Sequence, residues 1–280
     1  HSVSKTFVAT AVGLAYQQGL IKDLSEPINL YVPALNNSGY DGVAIRDILQ
    51  MSSGIRWNED YADPNSDLNQ FGTTLFWGDS YDEFVASRVK ERPAGELHRY
   101  TGMDAQALTM LVRAVTDTSL SEYLAKELWQ PLGMQDLGFW TTDNQGVELG
   151  LGGLSATARD LAKLGELYRN NGNWHGQQIL EADWVSQATT VMAPHLARGD
   201  NASSMHSMGY GYQWWLPDGD SQDYSAIGIY NQFVYVNPEK ETVIVKLSAY
   251  RDYASSKKAD AYLEEETFSL FRELAKSTAM

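Results

Sequence analysis

The sequence predicts an α/β (α+β) chain in which a helical lobe precedes a small antiparallel sheet backed by a C-terminal helix. Three observations predict it. From about residue 20 to 205 the periodic segments are mostly helical, with loops between them. After about residue 207 the texture changes to runs rich in Val, Ile, Tyr and Trp, the composition of strands. The end, residues 258–275, returns to a helical period. No internal repeat, low-complexity tract or flexible linker interrupts the chain. We therefore expect one domain over 1–280, made of an opening helix (1–20), a mainly helical lobe (21–206), and the sheet with its closing helix (207–280).

Residues 5–18 carry Phe7, Val8, Ala11, Val12, Ala15 and Tyr16, with Ala9 and Leu14 between them. A helix that is apolar nearly all round belongs in the middle of a protein. Short helices are expected at 45–49, 81–91, 104–116, 119–128 (stopped by Pro131) and 157–170, the last closed by Asn171-Gly172. Strands are expected at 209–216, 224–230, 232–236 and 242–249, with Asn237-Pro238-Glu239-Lys240 turning the last two into a hairpin. In the closing helix Leu263, Thr267, Phe271 and Leu274 form one stripe, suited to packing on the sheet.

Composition removes several function classes. Of 280 residues, 43 % are hydrophobic and 20 % charged, which is ordinary globular usage and excludes wholesale disorder. Lys and Arg number 21 against 36 Asp and Glu, a net charge of −15 that argues against nucleic acid or an anionic membrane as partner. No run of 18 apolar residues exists, so no membrane span is expected. The absence of Cys removes disulfide scaffolds, iron–sulfur clusters, thiolate zinc sites and a Cys nucleophile. The five His residues never fall at zinc-like spacing, and neither H-E-x-x-H, a P-loop, G-x-G-x-x-G nor G-x-S-x-G occurs. No metal or cofactor is expected. The chain opens at His1, directly in a helical pattern with no cap or lead-in. We expect its natural N-terminus to lie upstream, together with any signal peptide.

The residues that could do chemistry begin with Ser2-Val3-Ser4-Lys5. Positions i and i+3 share a helix face, so Ser2 Oγ and Lys5 Nζ can lie side by side. A hydroxyl is a poor nucleophile until a base takes its proton, and a buried Lys with a lowered pKa can do so. The helix N-terminus also aims backbone N–H groups at an oxyanion formed there. S-x-x-K alone is a weak signal. It gains weight because it opens a helix that must be buried, where an idle Lys would be costly.

At these residues the chain resembles the serine β-lactamase, penicillin-binding protein and esterase superfamily, in particular its class C-like branch. The resemblance runs from Ser2-Val3-Ser4-Lys5-Thr6-Phe7 through residues 20–27, 45–54 and 152–161, and so covers most of the chain. Its pattern is most similar to the branch of 6-aminohexanoate-oligomer hydrolases and related carboxylesterases. It implies a penicillin-recognising fold, an antiparallel sheet flanked by helices beside a helical lobe with the site in the cleft between. It also implies further N-terminal strands of that sheet before His1.

The resemblance implies roles as well. Ser2 is the nucleophile and Lys5 its base. Tyr100, within Pro93-Ala94-Gly95-Glu96-Leu97-His98-Arg99-Tyr100-Thr101-Gly102, is a second base that relays the proton, provided a cation such as Lys5 brings the phenol towards neutrality. The Ile227-Gly228-Ile229 strand supplies the Ile229 N–H, which joins the Ser2 N–H in an oxyanion hole, and Gly228 lets substrate approach closely. Asn231 stands where glycine is common, which Asn tolerates at positive φ. Tyr61 donates to the substrate amide or ester, and Trp215 covers the acyl site. Glu59, Asp60, Asp63 and Asp67 read as a solvated loop that could also attract an ammonium group.

The expected activity is hydrolysis of a small-molecule ester or short linear amide through an acyl-enzyme. A β-lactamase or D-Ala-D-Ala carboxypeptidase is the alternative within the superfamily. Gly102 where those enzymes carry Asn, and a strand without Lys or His, count against it. A catalytically inactive ligand-binding module is the alternative of another class.

Overall fold

The computed structural model describes residues 1–253 and 263–278 of the chain. Helix α1 (Ser4–Gln17) lies at its centre, with every residue from Ser4 to Ala15 buried. Its polar side chains are satisfied internally. Thr10 Oγ1 donates to the Thr6 carbonyl at 2.8 Å and lies 3.0 Å from the Tyr168 hydroxyl, and Thr6 Oγ1 donates to the Gln213 carbonyl at 3.1 Å. Gly13 is required in α1, because a Cβ there would lie 2.5 Å from the Trp184 indole. The helix ends at Gln18 and Gly19, the latter at φ +74°.

Around α1 stand α2 (Ile45–Leu49), α3 (Asp67–Trp77), α4 (Tyr81–Ala86), α5 (Gly102–Thr116), α6 (Leu120–Leu124), α7 (Ala158–Arg169) and α8 (Ala182–Ala188). Two were not foreseen in the sequence. Helix α3 is capped by Ser66, which accepts from the Asn69 N–H, and closed by Gly78 at φ +72°; α8 packs Trp184 against α1. The expected helix at 81–91 stops at Ala86, because Val89 and Lys90 pair with Ile55 and Arg56 instead. The segment expected as a helix over 119–128 is α6 followed by a wider turn at Ala125–Trp129.

Two minor ribbons, β1 (Phe139–Trp140) with β2 (Leu154–Ser155) and β3 (Asn173–Trp174) with β4 (Gln177–Gln178), precede the main sheet. That sheet is antiparallel throughout, in the order β5 (Gly209–Tyr210), β6 (Trp215–Leu216), β7 (Tyr224–Gly228), β8 (Gln232–Asn237) and β9 (Thr242–Lys246). The run 209–216, expected as one strand, folds back on itself with Gly209 opposite Leu216. Gly211 meets the Ala188 carbonyl so closely that a Cβ would lie 2.0 Å from it, and Gln213 turns at φ +61°. The 224–230 strand ends at Gly228, and Tyr230 and Asn231 turn at φ +63° and +67°, the positive φ that Asn accepts.

The period of two along β8 divides the core. Val234 and Val236 face α7, where Gly165 leaves room for them. Phe233 and Tyr235 face the other way, Phe233 edge-on and Tyr235 tilted to both Phe268 and Phe271 of α9 (Glu264–Thr278). Burying each of those Phe rings is worth roughly 1.5–3 kcal/mol. The face α9 presents is therefore Thr267, Phe268, Phe271 and Ala275, rotated from the stripe the sequence suggested. Leu274 is 44 % exposed, and Leu263 precedes the helix at φ +53°. Residues 258–262 of the expected helix lie outside the described residues. Among the described residues no helix is long and apolar enough to cross a membrane.

Candidate active site

Ser2 sits in the turn that feeds α1. Val3 already has helical dihedrals, and the Lys5 N–H donates to the Ser2 carbonyl at 3.0 Å, so Ser2 and Lys5 stack one turn apart. Lys5 Nζ lies 2.8 Å from Ser2 Oγ and 2.6 Å from the Leu151 carbonyl. The Lys5 side chain is almost wholly withdrawn from water. Burial lowers its pKa to about 8, with the Glu59 carboxylate pulling the other way.

Tyr100 lies just before α5, its ring stacked 5.2 Å from Trp215 at 21° and its centre 5.0 Å from Lys5 Nζ. Burial first, and the Glu59 carboxylate second, push its phenol well above the usual value, while a hydrogen bond with Ser2 acts in the opposite sense. The shift expected of this pair therefore falls on the other partner. Lys5 is drawn towards neutrality and Tyr100 keeps its proton, because desolvation disfavours the charged form of each.

These groups open into a cleft of about 620 Å³. Ser2, Tyr61, Tyr100, Trp215, Gly228 and Ile229 all line it, and Lys5 lies beneath Ser2. The structure thus brings together all seven residues singled out in the sequence. Gly228 ends β7 with little room to spare: a Cβ would lie 3.1 Å from that of Gln232. Ile229 follows it into the turn and lines the cleft.

Several lining residues were not foreseen, among them Trp57, Arg99, Met205, His206, Met208 and Glu264. Arg99 is tied to Glu91 at 2.5 Å. His206 stands edge-on to Trp215, 5.1 Å between ring centres, and burial lowers its pKa to about 4. Glu59 is the main correction to the reading of its loop as solvated. Its carboxylate accepts from the Gly102 N–H at 2.8 Å, from the Trp57 indole N–H and from the Tyr61 hydroxyl. Asp67 is likewise engaged, with Arg88 at 2.9 Å, whereas Asp63 serves its own loop, accepting from the Asn65 N–H. The alternation Trp57, Glu59, Tyr61 was the available signal, since an extended segment turns such residues to one side.

Residues 1–268 match the family model described as Beta-lactamase. A 6-aminohexanoate-dimer hydrolase of Paenarthrobacter ureafaciens is 32 % identical over 259 residues, covering 90 % of this chain and 66 % of that protein. A solved structure from Bacillus anthracis, provisionally named a 6-aminohexanoate-dimer hydrolase, superposes with a TM-score of 0.83 at 22 % identity, covering 98 % of this chain and 71 % of that one. A family VIII carboxylesterase superposes at 0.68 with 16 % identity, covering 89 % and 76 %. The two structural likenesses show the shared fold. The chain spans between 60 % and 66 % of the length of the curated relatives it matches.

Proposed function

The chain belongs to the beta-lactamase family, and on that premise we propose that it is a serine hydrolase acting by acyl transfer on an ester or a short linear amide. The observation that carries this is the contact of a buried, pKa-lowered Lys5 with Ser2 Oγ at 2.8 Å. Neutral Lys5 takes the Ser2 proton as Oγ bonds to the substrate carbonyl carbon. The N–H groups of Ser2 and Ile229 hold the oxyanion of the tetrahedral adduct. As the adduct collapses, the Tyr100 hydroxyl gives its proton to the leaving oxygen or nitrogen and is replenished from the Lys5 ammonium. Water then enters by the same path in reverse, adds to the acyl carbon and releases the acid and free Ser2.

Tyr61 is the donor to the substrate amide or ester, exchanging its contact with Glu59 for the substrate, and Trp215 covers the acyl site. The relative named a 6-aminohexanoate-dimer hydrolase supports a linear amide, and the carboxylesterase fold relative is compatible with an ester. Fluorophosphonate labelling with peptide mapping tests the reading. An adduct on the Ser2 peptide, abolished in Ser2→Ala, is expected. A folded protein that takes no label would overturn it.

A further inference from the structure

Among the described residues none of 45–54 lines the cleft, yet this segment braces the one that carries Tyr100. The Ser52 carbonyl accepts from the Gly95 N–H at 2.8 Å, and the Gly54 carbonyl from the Glu91 and Arg92 N–H groups at 2.9 and 3.0 Å. Ser53 Oγ donates to Asp104 Oδ1 at 2.7 Å. Met51 takes the centre of this brace. The Arg99 N–H donates to its carbonyl at 3.0 Å, and the Thr101 N–H donates to its Sδ at 3.3 Å. The residues on either side of Tyr100 are thus tied to the same methionine, one to its backbone and one to its side chain.

Met51 holds this place against its backbone preference. It follows α2 at φ +50°, its N–H closing on the Ile48 carbonyl at 3.1 Å, in the left-handed position where glycine turns a helix without strain. A long apolar side chain is uncommon there, and strain of this kind gathers at functional sites. What glycine would lack is the thioether. Sulfur is a weak acceptor, but Met51 is 1 % exposed and Thr101 3 %, so water does not compete for that N–H. Successive N–H groups of an extended segment point to opposite sides. His98 accordingly pairs the other way, its N–H donating to the Ser203 carbonyl at 2.9 Å and its carbonyl accepting from the Met205 N–H at 3.0 Å. Arg99 and Thr101 are left to Met51.

We infer that Met51 is a positioning residue for the reaction: by holding the peptides of Arg99 and Thr101, it sets where the Tyr100 hydroxyl stands relative to the leaving group. The inference rests on the acyl-transfer reading of the site, in which Tyr100 gives the departing atom its proton. Its test uses two esters with one acyl group. The leaving group of p-nitrophenyl butyrate departs without a proton, whereas the alkoxide of ethyl butyrate needs one. Rates are expressed per Ser2 titrated with fluorophosphonate, so that only folded, active molecules are counted. The ratio of kcat/KM values, ethyl over p-nitrophenyl, is followed through a double-mutant cycle of Met51→Leu and Tyr100→Phe.

Met51→Leu nearly conserves volume, keeps the carbonyl for Arg99 and removes the sulfur. It is expected to lower the ratio about tenfold, with p-nitrophenyl butyrate turned over within about threefold of the wild-type rate. Tyr100→Phe lowers the ratio on its own. Adding Met51→Leu to it should change the ratio by less than about twofold, because no hydroxyl is left to position. In the wild type the Thr101 amide should be protected from hydrogen exchange, as read by NMR. An unchanged ratio in Met51→Leu overturns the inference, as does a fall of equal size in both backgrounds. A Thr101 amide that exchanges like that of an open loop overturns it even where Met51→Leu does not fold. Absence of Ser2-dependent turnover of both esters defeats the acyl-transfer reading, and a Tyr100→Phe ratio equal to that of the wild type defeats the donor role of Tyr100. Either is seen before Met51 is varied and overturns the inference with it.

Discussion

The Leu151 carbonyl fixes which way Lys5 points. It accepts from Nζ at 2.6 Å while Ser2 Oγ lies 2.8 Å from the same atom. In the neutral amine one N–H stays on Leu151, which leaves the lone pair free to face the Ser2 hydroxyl. A base that must lose a proton before it can accept one is kept in position by a group that carries no charge. Leu151 belongs to the loop that continues into Gly152-Gly153-Leu154, so the segment resembling the family there has a mechanical role in addition to its sequence likeness.

Activity is expected to follow the titration of this lysine. Lys5 works only when neutral, and burial sets its pKa at about 8. The logarithm of kcat/KM for a neutral ester should therefore rise with slope one as pH increases and level off above about 8. Lys5→Ala should lower kcat about 10²–10⁴-fold and remove the limb. Lys5→Arg should be equally poor at every pH, because a guanidinium does not deprotonate. Stopped-flow or steady-state profiles between pH 6 and 10 would check this; a flat wild-type profile would assign the base elsewhere.

Tyr100 retains its proton and is poised to give it to the leaving group. Tyr100→Phe keeps the ring against Trp215 and removes only the hydroxyl. Its effect should depend on what departs. A p-nitrophenolate leaves without help, so acylation by a p-nitrophenyl ester should fall by less than about tenfold, whereas an alkyl amide should lose about 10²-fold or more. Equal losses on both substrates would show that the phenol acts on Ser2 and leaves the departing group unassisted.

Asp104 makes stability depend on pH in an unusual direction. Its Oδ1 accepts from the Tyr40 hydroxyl at 2.9 Å and from Ser53 Oγ at 2.7 Å, while Oδ2 is buried without a partner. Burial raises its pKa from 3.8 to about 8. Between those values the folded chain binds the proton that the unfolded chain has released, so this residue's contribution to stability is complete below about 3.8 and is lost as pH rises towards 8. Urea midpoints at pH 5.5 and 8.5 should fall less steeply with pH in Asp104→Asn than in the wild type. Parallel slopes would contradict the assignment.

Parts of this site are local and parts are not, and the sequence discloses only the local ones. Ser2 and Lys5 are three residues apart on a helical turn, so spacing alone places them together. Ile227-Gly228-Ile229 lies at the end of a run with strand composition and is found there at the cleft wall. Glu59 showed only in its alternation with Trp57 and Tyr61, because the partner that engages it from outside that segment, Gly102, is distant in sequence. The Leu151 carbonyl is invisible to any reading of side chains. The fold shows the same division. The apolar α1 was evident, whereas the fold-back within 209–216 depends on a close approach of Gly211 to the Ala188 carbonyl that no local pattern records.

The burial of α1 from Ser4 to Ala15 has a last consequence. Many hydrolases carry their reacting groups on loops that breathe long before the protein melts. Here the proposed base rides on a helix buried from Ser4 to Ala15, whose amides should exchange only through global opening, and the proposed nucleophile sits in the turn that feeds it. Heat inactivation and loss of tertiary structure should then trace a single curve. Turnover becomes a meter of whether the molecule is intact, and evolution can reshape the cleft rim freely while the reactive pair stays under the guard of the core.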